Sequence, residues 1–122
     1  MYELVVSDYF SAAHDLRGYK GKCESLHGHN WKVEVTVASE KLDSLGMVVD
    51  FTDMKKALAE ALERYDHCYL NETEDFKELN PTTENLARRI FERLSGGLPK
   101  HVKMRSVAVW ESESCFAKYT GP

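Results

Sequence analysis

The sequence predicts an α+β domain, an antiparallel sheet with two helices on one face. Three observations carry this. Residues 30–37 alternate apolar and polar without a break. Two later stretches repeat their apolar residues at helical spacing. Strand-like segments flank this helical pair on both sides, in the order β-β-α-α-β-β.

Residues 2–13 are β-rich, with Leu4, Val6 and Phe10 on one parity and Val5 and Tyr9 on the other. Residues 14–26 carry Gly18, Gly21 and several charges with little periodicity, which predicts a loop. The clearest strand follows, Trp31, Val33, Val35 and Val37 alternating with Asn30, Lys32, Glu34 and Thr36. A turn around Asp43 to Gly46 leads to a short apolar piece, Met47 to Val49. Asp50 or Thr52 can cap the first helix, whose stripe is Met54, Ala57, Leu58, Ala61, Leu62 and Tyr65. Residues 66–80 read as a connection broken by Asn71 and Asn80-Pro81. Thr82 or Thr83 caps the second helix, with Glu84 in its first turn and Leu86, Ile90, Phe91 and Leu94 expected inside. Ser95-Gly96-Gly97 stops it; residues 101–111 make the next strand and Phe116 to Tyr119 a short last one. The run Val107-Ala108-Val109-Trp110 is apolar on both parities, so both faces of the sheet are expected to be covered, the second by another subunit.

Composition narrows the function classes. The 122 residues suffice for one domain, taken as 1–122. A net charge of −4 argues against a broad nucleic-acid surface. No apolar run is long enough to span a membrane and no signal-like segment opens the sequence, so no membrane partner is expected. Cys23, Cys68 and Cys115 are odd in number and unpaired in spacing, which points to a reducing cytoplasm rather than a disulfide framework.

The stretch Cys23-Glu24-Ser25-Leu26-His27-Gly28-His29 is the most informative. His27 and His29 are two apart, so on extended backbone both rings share a face, and Gly28 between them leaves room for close approach. That is chelating geometry for zinc. His14, at the end of the first strand, is the best third donor. Three imidazoles leave a fourth tetrahedral position for water or substrate. Cys23 is either a reactive thiol beside the metal or a fourth ligand that closes the site. Asp66-His67 is either a histidine favouring a helix C-terminus or a carboxylate-oriented proton relay. Glu111, on the face of Val107 and Val109, is either a solvated strand end or a partner for a guanidine-like ligand edge. Thr82, Thr83 and Glu84 are capping chemistry whose amides could also serve a ligand.

Six ordered blocks then resemble one family: Phe10 to His14, Cys23 to His29, Val49-Asp50-Phe51, Asp66 to Asn71, Asn80 to Asn85 and Trp110-Glu111-Ser112. Together they resemble the 6-pyruvoyl-tetrahydropterin synthase / 6-carboxy-tetrahydropterin synthase family, nearest to the 6-carboxy-tetrahydropterin synthases of queuosine biosynthesis. The resemblance implies the tunnelling fold, a four-stranded antiparallel sheet with two helices on one face. It implies subunits joined into β-barrels as trimers or a homohexamer, with active sites at the interfaces. By position, His14, His27 and His29 would hold Zn2+, and Cys23 would be the general base with Asp66 and His67 as partners. Glu111 would anchor the pterin, and Thr82, Thr83 and Glu84 would line its pocket. The implied substrate is 7,8-dihydroneopterin triphosphate. Glu24, beside Cys23, matches a branch that uses a glutamate to cleave the side chain toward 6-hydroxymethyl-7,8-dihydropterin, so it is a candidate second base.

Overall fold

Alternation sets the two long strands. β1 (Tyr2–His14) and β2 (His27–Ser39) pair antiparallel over their full lengths, from Tyr2 opposite Ser39 to His14 opposite His27. The computed structural model describes residues 1–18 and 25–122. β4 (Lys103–Trp110) pairs antiparallel with β2, and β5 (Phe116–Tyr119) with β4. A register shift beside Thr36 lets Ser106 and Met104 face consecutive residues of β2, a bulge in β4. The expected four-stranded antiparallel sheet is therefore present. A fifth strand, β3 (Cys68–Tyr69), adds a parallel edge against Ala12 and Ala13 of β1. Two residues are too few to leave a periodic signal, which is why the connection after the first helix reads as loop in the sequence.

Both helices lie on one face. α1 (Phe51–Leu62) packs on β1, and α2 (Thr83–Ser95) on β4 and β5. Asp50 caps α1 by accepting from the Thr52 amide, and Thr82 caps α2 by accepting from the Asn85 amide. α1 buries Met54, Leu58, Ala61 and Leu62; α2 buries Leu86, Ala87, Ile90 and Leu94. Phe91, expected inside, is only half-buried and meets Tyr119 edge-on at 4.9 Å. Under the helices, one parity of each strand forms the core: Phe10, Trp31, Val33, Val35, Val37, Val107 and Val109. Phe10 stacks on Trp31 at 5.9 Å. The other face of the sheet carries no helix. Ala108 is buried there by its neighbours, whereas Val5, Tyr9 and Phe116 are about half exposed or more, at 51%, 62% and 48%.

Tyr65 lies beyond the end of α1 yet is fully buried. Its phenol donates to Asp75 Oδ2 at 2.5 Å, and Arg93 on α2 donates to both oxygens of Asp75 at 2.6 and 2.7 Å. Burial and the Asp75 carboxylate push the Tyr65 phenol up to about 12. Burial also pushes Asp75 up, but Arg93 and the Tyr65 phenol outweigh it and hold Asp75 below the usual carboxylate value. This triad ties the end of α1 to α2 through the intervening 3-10 turns, Leu70–Glu72 and Glu74–Phe76. Tyr65→Phe removes a hydrogen bond to a charged acceptor and is expected to cost about 1.5–3 kcal/mol in urea unfolding. A depressed carboxylate contributes stability above its unfolded value and loses it as pH falls through its folded one. Asp75→Asn should therefore flatten the acid limb of the stability profile.

Candidate metal centre

The core face of the sheet ends in polar donors. β1 closes with His14, β2 opens with His27 and His29, and Glu111 follows β4 on the parity of Val107 and Val109. The thirteen-residue register of β1 on β2 sets His14 directly opposite His27 and Ala12 opposite His29. One imidazole from β1 and two from β2 therefore meet on the helix side. His14 Nε2 and His27 Nε2 are 3.0 Å apart. Glu111 Oε1 lies 3.0 Å from His29 Nε2, 3.4 Å from His14 Nε2 and 3.9 Å from His27 Nε2. All four donor atoms fall within 4.8 Å of one another.

Hydrogen bonding fixes which nitrogens are free. His14 Nδ1 is 2.8 Å from the Pro81 carbonyl, and His27 Nδ1 is 2.6 Å from the Ser25 carbonyl. A carbonyl only accepts, so each Nδ1 carries the proton, and a ring with no second proton turns a lone pair on Nε2 toward the other. Two lone pairs at 3.0 Å repel unless a cation lies between or beside them. His29 Nε2 is buried and, although close to Glu111, has no hydrogen bond of acceptable geometry among the described residues. Burial holds the His29 imidazole below its ordinary value, with Glu111 opposing and the His27 and His14 rings adding to the effect. Neutral imidazoles with convergent lone pairs and one carboxylate suit a divalent metal of borderline softness. Trp31 forms the floor: its ring meets His14 at 4.8 Å and His29 at 5.1 Å, both edge-on, and its indole N–H donates to the Ala12 carbonyl.

The Pro81 carbonyl is held in turn. Asn80 accepts from the Arg17 amide at 2.9 Å and donates to the Arg17 carbonyl at 3.0 Å, and Asn85 donates to the Asn80 carbonyl. The Arg17 guanidinium donates to the carbonyls of Phe76, Asn71 and Leu79. Arg17 is thus a clamp between the end of β1 and the segment before α2. Thr82, Thr83 and Glu84 follow Pro81 directly, so the N-terminus of α2 adjoins His14; Thr83 donates to Glu84 at 2.9 Å.

Asp66 and His67 stand apart from this group. They are 3.0 Å from one another, and His67 lines a shallow depression together with Ser11, Ala12, Ala13, Gly28, His29 and Asn30. Ser11, Ala13, Gly28 and Asn30 have the parity opposite to the histidine donors, whereas Ala12 and His29 share it, so both parities of the β1–β2 end reach this depression. Asp66 accepts from the Ser11 amide and the His67 amide donates to the Ser11 carbonyl, which docks the pair on β1. The Ser11 amide, and then His67, hold the Asp66 carboxyl below its ordinary value. His67 sits in the left-handed region at φ 58° with its side chain 81% exposed. Cys23 and Glu24 lie outside the described residues. A Cβ at Gly28 would meet only the Ala12 carbonyl at 3.8 Å, so the metal cluster does not itself demand glycine there. Sequence reasoning missed the Pro81 and Ser25 carbonyls because main-chain acceptors leave no residue signature.

Outer partners of metal-binding imidazoles typically govern affinity by about 10–100-fold. Asn80→Ala, which loosens the Pro81 carbonyl under His14, should weaken divalent-metal binding by that order in chelator competition while the fold, read by circular dichroism, persists.

Comparison with known proteins supplies the frame for this site. The pattern of the 6-pyruvoyl tetrahydropterin synthase family matches residues 3–122. The chain is 38% identical over 119 residues to a 6-carboxy-5,6,7,8-tetrahydropterin synthase of Synechocystis, covering 93% of this chain and 88% of that one. It is 39% identical over 102 residues to the dihydroneopterin monophosphate aldolase of Pyrococcus furiosus, covering 84% and 82%. It superposes on the solved 6-pyruvoyl tetrahydropterin synthase of Caenorhabditis elegans with a TM-score of 0.89 at 31% identity, over 99% of this chain and 96% of that one. A helix-backed sheet closed at one end by a histidine cluster is thus the tunnelling fold, and the chain belongs to the 6-pyruvoyl tetrahydropterin synthase family.

Proposed function

We propose that this protein is a zinc-dependent 6-carboxy-5,6,7,8-tetrahydropterin synthase acting in queuosine biosynthesis. In this reading 7,8-dihydroneopterin triphosphate and water become 6-carboxytetrahydropterin, acetaldehyde and triphosphate. The observation that carries it is the convergence of three imidazole Nε2 atoms, two of them oriented by backbone carbonyls, in a chain that also holds the Cys23 to His29 block. A relative named for this reaction supports the choice within the family.

His14, His27 and His29 hold the metal. When bound, zinc polarises oxygens of the substrate side chain and so acidifies the neighbouring C–H and O–H bonds. Cys23 removes a side-chain proton as thiolate. A free thiol titrates near about 8.5, so it needs activation by its surroundings. Asp66 orients His67, and His67 passes the proton of Cys23 onward. Thr82, Thr83 and Glu84 line the pterin pocket, and Glu111 serves the two N–H donors of the pterin edge. Ring reduction is balanced by side-chain oxidation, so no redox cofactor is required.

The exposed apolar side chains Val5, Tyr9 and Phe116 on the helix-free face favour a trimer or hexamer whose barrel uses them, with active sites at the interfaces. The odd cysteine count favours a cytoplasmic enzyme, and the length of 122 residues favours one domain. Among the described residues no helix is long and apolar enough to cross a membrane.

A second reading is favoured by Glu24 next to Cys23 and by the aldolase relative. There the same zinc site also yields 6-hydroxymethyl-7,8-dihydropterin, with Glu24 as the base, for folate synthesis. A chain that stops at 6-pyruvoyl-tetrahydropterin is the remaining family outcome.

The test is a product assay on zinc-loaded protein with 7,8-dihydroneopterin triphosphate. Acetaldehyde in step with 6-carboxytetrahydropterin is expected; 6-pyruvoyl-tetrahydropterin without acetaldehyde would refute the main reading. Cys23→Ala should abolish turnover and leave zinc content unchanged. Glu24→Ala should remove only 6-hydroxymethyl-7,8-dihydropterin, and unchanged products would end the second reading. His67 carries left-handed strain of roughly 1–2 kcal/mol. His67→Gly should therefore melt no lower than the parent while losing turnover, a separation that a merely structural histidine would not give.

A further inference from the structure

We propose that Asn71 is a positioning residue that holds the metal donor His14 and the Asp66-His67 pair of one chain as a single rigid unit. Its bearing on turnover rests on the zinc-dependent reading above; its bearing on the metal rests on geometry alone.

β1 ends at His14, opposite the first residue of β2, and its other neighbour, β3, stops at Tyr69. The amide and carbonyl of Asp15 therefore have no strand to pair with, and such groups are costly when left unmatched away from water. The side chain of Asn71 takes both. Its oxygen accepts from the Asp15 amide at 3.0 Å, and its nitrogen donates to the Asp15 carbonyl at 2.9 Å. One donor and one acceptor in a single plane copy a peptide group, so this amide continues the pairing of β1 beyond the end of β3. Asn71 is 7% exposed, which leaves water little room to take its place. Aspartate would lose the donor, and glutamine would overshoot by a methylene.

The grip reaches in two directions. The clasped Asp15 amide belongs to the peptide plane that follows His14, so Asn71 fixes the backbone from which that imidazole projects. Asn71 also closes the segment that opens with Asp66-His67. At its start the Ser11 amide donates to Asp66 at 2.9 Å, and the His67 amide donates to the Ser11 carbonyl at 2.6 Å. In its middle Cys68 and Tyr69 pair with Ala12 and Ala13, and Leu70 is fully buried. A residue other than glycine keeps a left-handed backbone only where its surroundings over-determine it. His67, at φ 58°, is held by Ser11 on one side and by the run to Asn71 on the other. Releasing Asn71 frees one end of that run and slackens both chemical groups together.

The experiment uses the full-length protein and three readouts: zinc affinity by chelator competition, amide hydrogen exchange at Asp15 and His67, and kcat and KM at saturating zinc. Asn71→Ala removes both hydrogen bonds. Asn71→Asp keeps the size and the acceptor, and carries the test if the alanine variant does not fold. Both should weaken zinc binding by about 10-fold and speed exchange at Asp15 and His67 together. Both should also lower kcat at least about 10-fold with KM near that of the parent. Tyr69→Phe is the control for mere destabilisation. It loses the 2.7 Å hydrogen bond to the Asp15 carboxylate but spares the Asp15 backbone. It should lower the Tm and leave all three readouts at parent values. Asn80→Ala, which reaches His14 through Pro81, should weaken zinc binding and leave His67 exchange unchanged. Asn71 variants that melt lower but keep parent zinc affinity and His67 exchange overturn the proposal, and movement of only one of those two overturns the single unit. Zinc affinity and exchange that move as expected in a chain that converts no pterin would refute the reaction proposed above and leave the positioning role in place.

Discussion

Everything at this site depends on one register. β1 and β2 pair residue for residue over thirteen positions, and a slip of one would turn every side chain of a strand to the opposite face. The register is pinned by apolar alternation rather than by the histidines. Val33, Val35 and Val37 of β2 must face the helices together with Val6 and Phe10 of β1, and Trp31 must lie against Phe10. With those contacts satisfied, His14 falls opposite His27 and His29 lands two residues from Trp31 without further choice. The hydrophobic core thus does the aiming, and the donors are the last positions of a pattern that the valines begin.

The same continuity explains why the cluster is dry on one side. Its donors occupy positions that elsewhere in the sheet hold valine, so their lone pairs meet over an indole instead of water. Buried nitrogen atoms with no proton donor facing them are costly in an empty fold. The backbone carbonyls of Ser25 and Pro81 hold the Nδ1 protons of His27 and His14 and so keep those rings from satisfying one another by changing tautomer. The fold is in this sense strained toward a cation. The second chemical pair, Asp66-His67, is built differently. It sits on an edge, in solvent, its geometry set by the left-handed backbone of one residue and by two bonds to Ser11.

Much of this is legible in the sequence, and the reasons differ by element. β2 and both helices announce themselves because each has one wet and one dry face, and alternation or helical spacing records that directly. The clustered histidines are legible because His27 and His29 sit on a strand whose parity is already certain. Tyr65 fits the helical stripe of α1, yet it is buried beyond the helix end; what holds it is Asp75, ten residues on, and no local pattern encodes that partner. Arg17 has the sequence surroundings of a surface charge and is a clamp on three carbonyls, a role invisible without the fold. The parity of Glu111 is readable from β4, but its approach to the imidazoles depends on how far β4 runs past β2, a distance that parity does not give.

Trp31 has a consequence of a different kind. It is completely buried, lies within about one ring width of two donor imidazoles, and shares the chain with only one other tryptophan. Excited indole loses its energy readily to a protonated imidazole or to an open-shell ion at such range. The emission of this residue is therefore coupled to the charge and filling of the pocket above it. The floor of the site is a native optical probe, and filling of the centre by an open-shell divalent ion can be followed in the unlabelled protein.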